Sequence, residues 1–245
     1  MSRGLALHGE RNHQLTCDAV IFDLYGTLID NASIEDRRRM FREPAAGLTD
    51  RLDEFRDAWL GIYHDRSIGR LGSVDNEIRH VCGLLGIEPT QAQVDGALRL
   101  RLDSFRLHCR PRPTVIETLS KLRSRGIKTG LITDCGSEVP VIWPDTELAP
   151  LMDATVFSCC EGITKPDPRM YEVACERLGV QPSRCIYVGD GGSRELTGAK
   201  SMGMTPILIR VDYEPHMDPH RPDALEWTGP TISRIGEVLG FVSSA

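Results

Sequence analysis

Five short apolar runs set the frame for this chain: Asp18 to Asp23, Lys128 to Thr133, Ala154 to Ser158, Arg184 to Gly189 and Thr205 to Arg210. Each is too short for an ordinary helix and apolar nearly throughout, as a parallel strand covered on both faces must be. Helical periodicity separates them. Val115, Leu119 and Leu122 share one helix face, as do Tyr171, Ala174, Cys175 and Leu178, and again Leu196, Ala199 and Met202. Strand–helix alternation of this kind predicts an α/β fold, a Rossmann-like parallel sheet with right-handed crossovers.

One interval breaks the alternation. Residues 31–110 hold no strand pattern, but Leu52, Phe55 and Trp59 recur at helical spacing, as do Ile78, Val81, Cys82 and Leu85, and Leu98, Leu102 and Phe105. This segment reads as an inserted all-helical cap. The sheet core then comprises residues 17–30 and 111–245, with Pro111–Arg112–Pro113 marking the return and residues 1–16 forming a loose arm. Trp59 and Tyr63 read as core of the helical segment. Residues 138–150, rich in proline, read as an irregular loop, and residues 231–239 as a last helix.

Composition narrows the class. The chain has 245 residues, 40% hydrophobic and 26% charged, which is ordinary globular usage. No apolar run reaches the ~18–20 residues of a membrane span, and the N-terminus lacks the apolar stretch of a signal peptide. The expectation is a soluble cytoplasmic protein, with no membrane partner, that is a monomer or homodimer. The net charge of −6 comes without a basic stripe, which argues against nucleic acid. The densest basic patch, Arg37–Arg38–Arg39 with Arg42, is either a solvated helix face or a polyanion site. Eight cysteines without a CxxC pair read as reduced, mostly buried thiols. On a strand, Cys159 and Cys160 would face opposite ways, against a zinc site. His216 and His220 are surface-loop histidines or metal ligands.

Ligands of open α/β sheets bind beyond the carboxyl ends of the strands. The polar residues placed there are Asp23, then Thr133–Asp134, then Thr164–Lys165, then Asp190 with Glu195. Any one could be a turn or helix cap. Thr133 could simply end a strand, and Glu195 could be a helix N-terminal acid favoured by the dipole. Four in order converge carboxylates, a hydroxyl and a lysine on one rim.

The sequences around them carry a resemblance. Asp23–Leu24–Tyr25–Gly26–Thr27–Leu28 resembles the first motif of the haloacid dehalogenase (HAD) superfamily. Leu131–Ile132–Thr133 is similar to the second, Lys165–Pro166–Asp167–Pro168 to the third, and Val188–Gly189–Asp190 through Glu195 to the fourth. The resemblance implies a HAD-type hydrolase with a cap after the first motif, acting on a small anionic metabolite through a covalent intermediate on Asp23. For a phosphoryl substrate it implies Mg²⁺ held by Asp23, the backbone carbonyl of Tyr25, and Asp190, with Glu195 ligating directly or through water. Lys165 would neutralise Asp23, while Thr133, Gly26, Thr27 and Asp134 would bind the transferring group. Cap arginines are the candidates for substrate contact: Arg37 and Arg42, with Arg38, Arg66 and Arg70.

Tyr25 departs from the phosphatase pattern, which has a second aspartate there as general acid and base. Three readings stay open. The chain is a Mg²⁺-dependent phosphatase that finds its proton elsewhere. Alternatively it is a 2-haloacid dehalogenase, whose halide leaves unprotonated and whose first motif carries Tyr at this place; the metal-free dehalogenases, however, have Ser where Asp190 stands. The third reading is a non-catalytic member that binds a phosphometabolite or a partner.

Overall fold

The structure is a computed structural model and describes residues 17–213 and 221–242. The predicted arm, His216 and His220 lie outside the described residues. Strand β1 (Ala19–Phe22) is followed by five helices, α1 (Ile34–Ala46), α2 (Leu52–Gly61), α3 (Tyr63–Ser67), α4 (Val74–Leu84) and α5 (Gln91–His108). Then come α6 (Val115–Ser124), β2 (Lys128–Thr133), α7 (Glu138–Ile142), β3 (Ala154–Phe157), α8 (Ser158–Glu161), α9 (Pro168–Leu178) and β4 (Cys185–Gly189). The chain closes with α10 (Glu195–Ser201), β5 (Thr205–Ile209), α11 (Pro222–Glu226) and β6 (Thr231–Ile232). The α/β class expected from the alternation is the one observed.

The six strands pair in parallel in the order β3-β2-β1-β4-β5-β6. The order reverses where β1 meets β2 on one side and β4 on the other, so the crevice opens beyond the carboxyl ends of β1 and β4. Period-two alternation divides the core between two faces. Val20, Phe22, Leu131 and Val188 pack with Val115, Leu119 and Leu122 of α6, whereas Ala19, Ile21, Ile132 and Tyr187 pack with Met170, Tyr171 and Leu178 of α9.

The helices between β1 and α6 bury a core of their own, with Phe55, Trp59, Ile78, Val81 and Val94 at its centre. Two of them start at capping boxes, Ser33 with Asp36 and Thr90 with Gln93, which satisfy amide donors that a first turn otherwise leaves unpaired. The chain leaves and re-enters the sheet layer at adjacent points, because Ile29 pairs with Pro111 in an isolated antiparallel bridge.

Three expectations change. Residues 231–239 do not form an α-helix: β6 adds to the sheet edge and a 3₁₀ turn follows over Ile235–Gly240. The apolar residues there, Ile232, Ile235 and Val238, recur every three positions, which is the 3₁₀ period. Residues 138–150 are ordered into α7 and two 3₁₀ turns, anchored by buried Val139, Ile142 and Trp143. Cys159 and Cys160 sit on helix α8, not on a strand. All eight cysteines are free thiols. No helix among the described residues is long and apolar enough to cross a membrane.

Leu119 is fully buried between α6 and the sheet. Leu119→Ala should lower unfolding stability by about 2–5 kcal/mol, the usual cost of a lost side chain plus its cavity. The check is urea denaturation, with the transition midpoint falling and its slope unchanged.

Candidate active site

Asp23 is the residue that follows β1. Its amide donates to the Val188 carbonyl at 2.9 Å, so the sheet ladder itself positions it. The chain then turns tightly, with the amides of Thr27, Leu28 and Ile29 all donating to the Leu24 carbonyl. Gly26 makes this turn with φ of +72°, and a Cβ there would stand 2.1 Å from Asp190 Oδ2. Only glycine meets both demands. From the returning chain, buried Arg112 donates to the Gly26 carbonyl at 2.5 Å and to Asp30 Oδ1 at 2.7 Å.

Lys165, in the loop before α9, is the hub. Its Nζ lies 2.6 Å from Asp23 Oδ1 and 2.6 Å from Glu195 Oε2, and its amide donates to Asp134 Oδ1 at 2.9 Å. Glu195, at the start of α10, also accepts from the Tyr187 hydroxyl and the Gly191 amide, each at 2.9 Å. Asp190, after β4, accepts from the Gly192 amide at 2.9 Å and pairs with Arg221 at 2.9 Å. Asp23, Lys165, Asp190 and Glu195 are all buried.

Burial dominates the electrostatics. It pushes Asp23 up to about 6, with Lys165 only partly opposing it, and Asp190 likewise to about 6. Glu195 rises to about 7 for the same reason. Burial also works against the charge of Lys165, but Asp23 and Glu195 outweigh it and hold the ammonium well above its ordinary value. Three buried carboxylates thus face two cations, Lys165 and Arg221, and the negative charge is not fully cancelled.

Carboxylate oxygens of Asp23, Asp190 and Glu195 all lie within 4.8 Å of one another. An all-oxygen set of this size fits a hard divalent cation. Two hydroxyls supply a second signal: Thr27 Oγ1 and Thr133 Oγ1 are buried without a hydrogen-bond partner. A buried hydroxyl left unpaired costs about 1–3 kcal/mol, so the turn after β1 and the end of β2 both present polar atoms suited to a ligand's oxygens.

Beside this centre a cavity of about 530 Å³ opens between the sheet and the helical segment. Asp134 and Tyr63 line it and also line the adjoining cleft that contains Lys165. The Tyr25 ring forms part of its wall, and burial raises the phenol well above its ordinary value. Arg37, Arg38 and Arg42 reach the cavity, although Arg37 donates to the Ala32 carbonyl and Arg42 pairs with Asp53. Arg66 lines it from a buried ion cluster, and Arg70 pairs with Asp65 instead. Trp59 is buried, as the periodicity indicated, but Tyr63 is half-exposed on the cavity wall.

Several site residues escaped the sequence. Tyr187 was visible as a strand position, yet nothing marked its hydroxyl as a partner of Glu195. The proline flanks of Arg112 were a signal for the return of the chain but not for the buried guanidinium. Arg221 follows no motif. Glu138 precedes the acid-free run of residues 139–144, a weak local sign that it is buried.

A family model for haloacid dehalogenase-like hydrolases matches residues 17–203. With the sheet order and strand-end residues above, this places the chain in that family: it is a haloacid dehalogenase-like hydrolase. It is 32% identical over 220 residues to a glyceraldehyde 3-phosphate phosphatase of Methanopyrus kandleri, covering 84% of this chain and 91% of the relative. It is also 26% identical to an (S)-2-haloacid dehalogenase of Pseudomonas fluorescens, covering 69% of this chain and 74% of that one. Among solved structures, a 2-haloacid dehalogenase of Pseudomonas syringae superposes with a TM-score of 0.68 at 22% identity, covering 92% of this chain and 97% of that one.

The raised carboxyls fix the sign of a pH effect. A buried acid whose pKa is higher folded than unfolded favours the folded state when protonated, so its contribution is lost as pH rises. Without divalent cation, stability should fall from pH 5 to pH 7.5 as Asp23, Asp190 and Glu195 ionise. Lys165→Met should cost about 3–5 kcal/mol at pH 8, where it leaves buried carboxylates uncompensated, and clearly less at pH 5. Chemical denaturation in EDTA at both pH values checks this; equal losses would refute it.

Proposed function

We propose that this hydrolase is a Mg²⁺-dependent phosphatase of a small phosphorylated metabolite, with Asp23 as nucleophile. The observation that carries the reading is Asp190. A third buried carboxylate facing Asp23 and Glu195 is electrostatically costly and serves a purpose if a divalent cation joins them. The phosphatase relative, at 32% identity over most of both chains, supports it.

The bound cation would be held by Asp23, Asp190 and the Tyr25 carbonyl, with Glu195 directly or through water, and would screen the repulsion between a carboxylate and a phosphoryl group. Lys165 keeps Asp23 ionised at neutral pH and stands beside the developing charge. An Asp23 oxygen attacks phosphorus, the bond to the ester oxygen breaks, and an acyl phosphate forms on Asp23. The alkoxide that departs takes a proton from solvent, because Tyr25 is too weak an acid to supply one. Water then attacks the acyl phosphate, releasing inorganic phosphate and restoring Asp23. The Thr27 and Thr133 hydroxyls and the backbone around Gly26 and Asp134 would hold the phosphoryl oxygens. The helices 31–110 would act as a cap that excludes bulk water, hinging near Asp30–Asn31 and Arg110–Pro113.

One observation favours a second reading. Tyr25 stands where a phosphatase acid is expected, and a dehalogenase needs none, since the same carboxylate attack at carbon expels halide unprotonated. The Pseudomonas fluorescens relative is consistent with it.

Phosphate release from an aryl phosphate separates the two, because an aryl leaving group needs little protonation. Turnover should require Mg²⁺, vanish in EDTA, and fall at least about 10³-fold in Asp23→Asn. Lys165→Met should cost about 10²–10³-fold in kcat. Chloride release from a 2-chloro acid in EDTA, with no phosphate release under any condition, would establish the dehalogenase instead.

A further inference from the structure

Two thiols face one another beside the reaction centre. Cys135 follows Asp134 in the turn after β2, is buried, and lines the cavity. Cys159 sits on α8 and is half-buried. Each stands two residues beyond the end of its strand, and those ends, Thr133 and Phe157, are register partners in the sheet. The sheet thus brings together two sulfurs 24 positions apart in the chain and leaves them 3.9 Å apart in space. The backbone holds them there: the Cys135 amide donates to the Ser158 hydroxyl at 2.9 Å, and that hydroxyl donates to the Cys135 carbonyl at 3.3 Å. Among the described residues, no group of three metal-ligating side chains includes either sulfur. A disulfide needs its sulfurs about 2.0 Å apart, so a shift of about 2 Å separates this pair from a bond.

Burial holds the Cys135 thiol well above its ordinary value, whereas the hydrogen bond with Cys135 lowers that of Cys159. The thiolate is the form that attacks a peroxide. Cys159, the more exposed and more acidic of the two, is the sulfur that reacts first, and buried Cys135 is the one that resolves it.

The pair lies where the sheet meets the helical segment. Asp134 Oδ1 accepts from the Lys165 amide at 2.9 Å, so the turn that carries Cys135 also fixes the loop that presents Lys165 to Asp23. In the same turn, the Ser137 hydroxyl lies 2.6 Å from the Gly72 carbonyl and 2.8 Å from Glu77 Oε1, both in the helical segment. On the other side, Gly69 (φ +64°) abuts the Cys159 carbonyl, where a Cβ would stand 1.9 Å from the oxygen.

We propose that Cys135 and Cys159 form a reversible oxidation site, closed to a disulfide by a hydroperoxide, and that closing it switches the neighbouring hydrolytic site off. The loss of activity rests on the phosphatase reading; the bond itself does not. The Cys159 thiolate attacks one peroxide oxygen, the O–O bond breaks, and the departing oxygen takes the proton that the thiol gave up, leaving a sulfenic acid and water. The Cys135 sulfur then attacks the Cys159 sulfur, the S–O bond breaks, and hydroxide leaves with the Cys135 proton as water. Two thiols lose two electrons and two protons, and hydrogen peroxide becomes two waters. A dithiol reverses the bond by exchange. The bond draws the turn after β2 towards α8 and shifts Asp134 against the loop it holds.

Hydrogen peroxide in modest excess tests this on the full chain. Thiol titration in denaturant should fall from eight to six, and dithiothreitol should restore it. Without reductant, cleavage at Glu138 and Glu147 separates the two cysteines, and their peptides should be found joined. Exchange of the Lys165 amide with solvent should speed at least about threefold. Mg²⁺-dependent turnover of an aryl phosphate should fall at least about tenfold, and both effects should reverse with dithiothreitol. Cys159→Ser should keep its other thiols and its activity in peroxide. Cys160→Ser, at the exposed neighbour, should still form the bridge. Cys135→Ala should stop at the sulfenic acid on Cys159, which a cyclic 1,3-dione traps. Retention of eight thiols, a bond at another pair such as Cys175 with Cys185, or a bond that leaves the Lys165 exchange or the turnover of an active protein unchanged would overturn the proposal. Lack of turnover by the reduced protein with any phosphate ester would overturn the phosphatase reading instead. The thiol count, the joined peptides and the Lys165 exchange then decide the oxidation site on their own.

Discussion

The ammonium of Lys165 is what lets Asp23 and Glu195 carry charge beyond the carboxyl ends of the central strands, as Arg221 does for Asp190. Asp23, Asp190 and Glu195 are brought together by the sheet, inside a layer from which water is largely excluded. Burial alone would protonate them. Lys165, tied by its amide to Asp134 and by its side chain to Asp23 and Glu195, holds part of that charge in place. Arg221 holds a further part on Asp190. Much of the surrounding order serves this arrangement: Tyr187 and the Gly191 amide fix Glu195, and Arg112 fixes the turn after Asp23. The result is a site whose side chains are held in place by one another.

The fold was legible in the sequence because its main signals are local. Short apolar runs and helical periodicity are set by which faces each element buries, and both survive without knowledge of the tertiary structure. The strand-end residues were legible for a related reason. A parallel sheet brings all its carboxyl ends to one rim, so Asp23, Thr133, Lys165 and Asp190 could be grouped before their distances were known. The errors fall where local pattern is ambiguous. Ile232, Ile235 and Val238 suit a helix face nearly as well as a strand end followed by a 3₁₀ turn, and only pairing with β5 decides. A proline-rich stretch looked irregular although Trp143 and Ile142 lock it onto the core.

What stayed hidden is long-range pairing. Arg101 and Glu138 are ordinary charged residues in sequence, separated by 37 positions, and each would be assigned to a solvated surface. They become buried partners only because α5 and α7 meet across the joint between the helical segment and the sheet. The same holds for Arg112 and the Gly26 carbonyl, 86 positions apart. No pattern within one element reports such contacts, yet these set the shape and polarity of the cavity.

The strand order has a consequence for the chain as it is made. β1 is the first of the described strands in chain order and lies in the interior of the sheet, but its neighbours begin only at Lys128 and Cys185. Throughout the synthesis of the intervening helices, the apolar segment Ala19–Phe22 has no strand to pair with. Local helices close quickly, whereas distant strand pairing is slow and leaves edges open to other chains. The helical segment, with a core of its own, is able to condense in the meantime beside the waiting strand. The helical segment thus sets the nascent chain's timetable, filling the long delay between the strand that ends at Asp23 and the strands that enclose it.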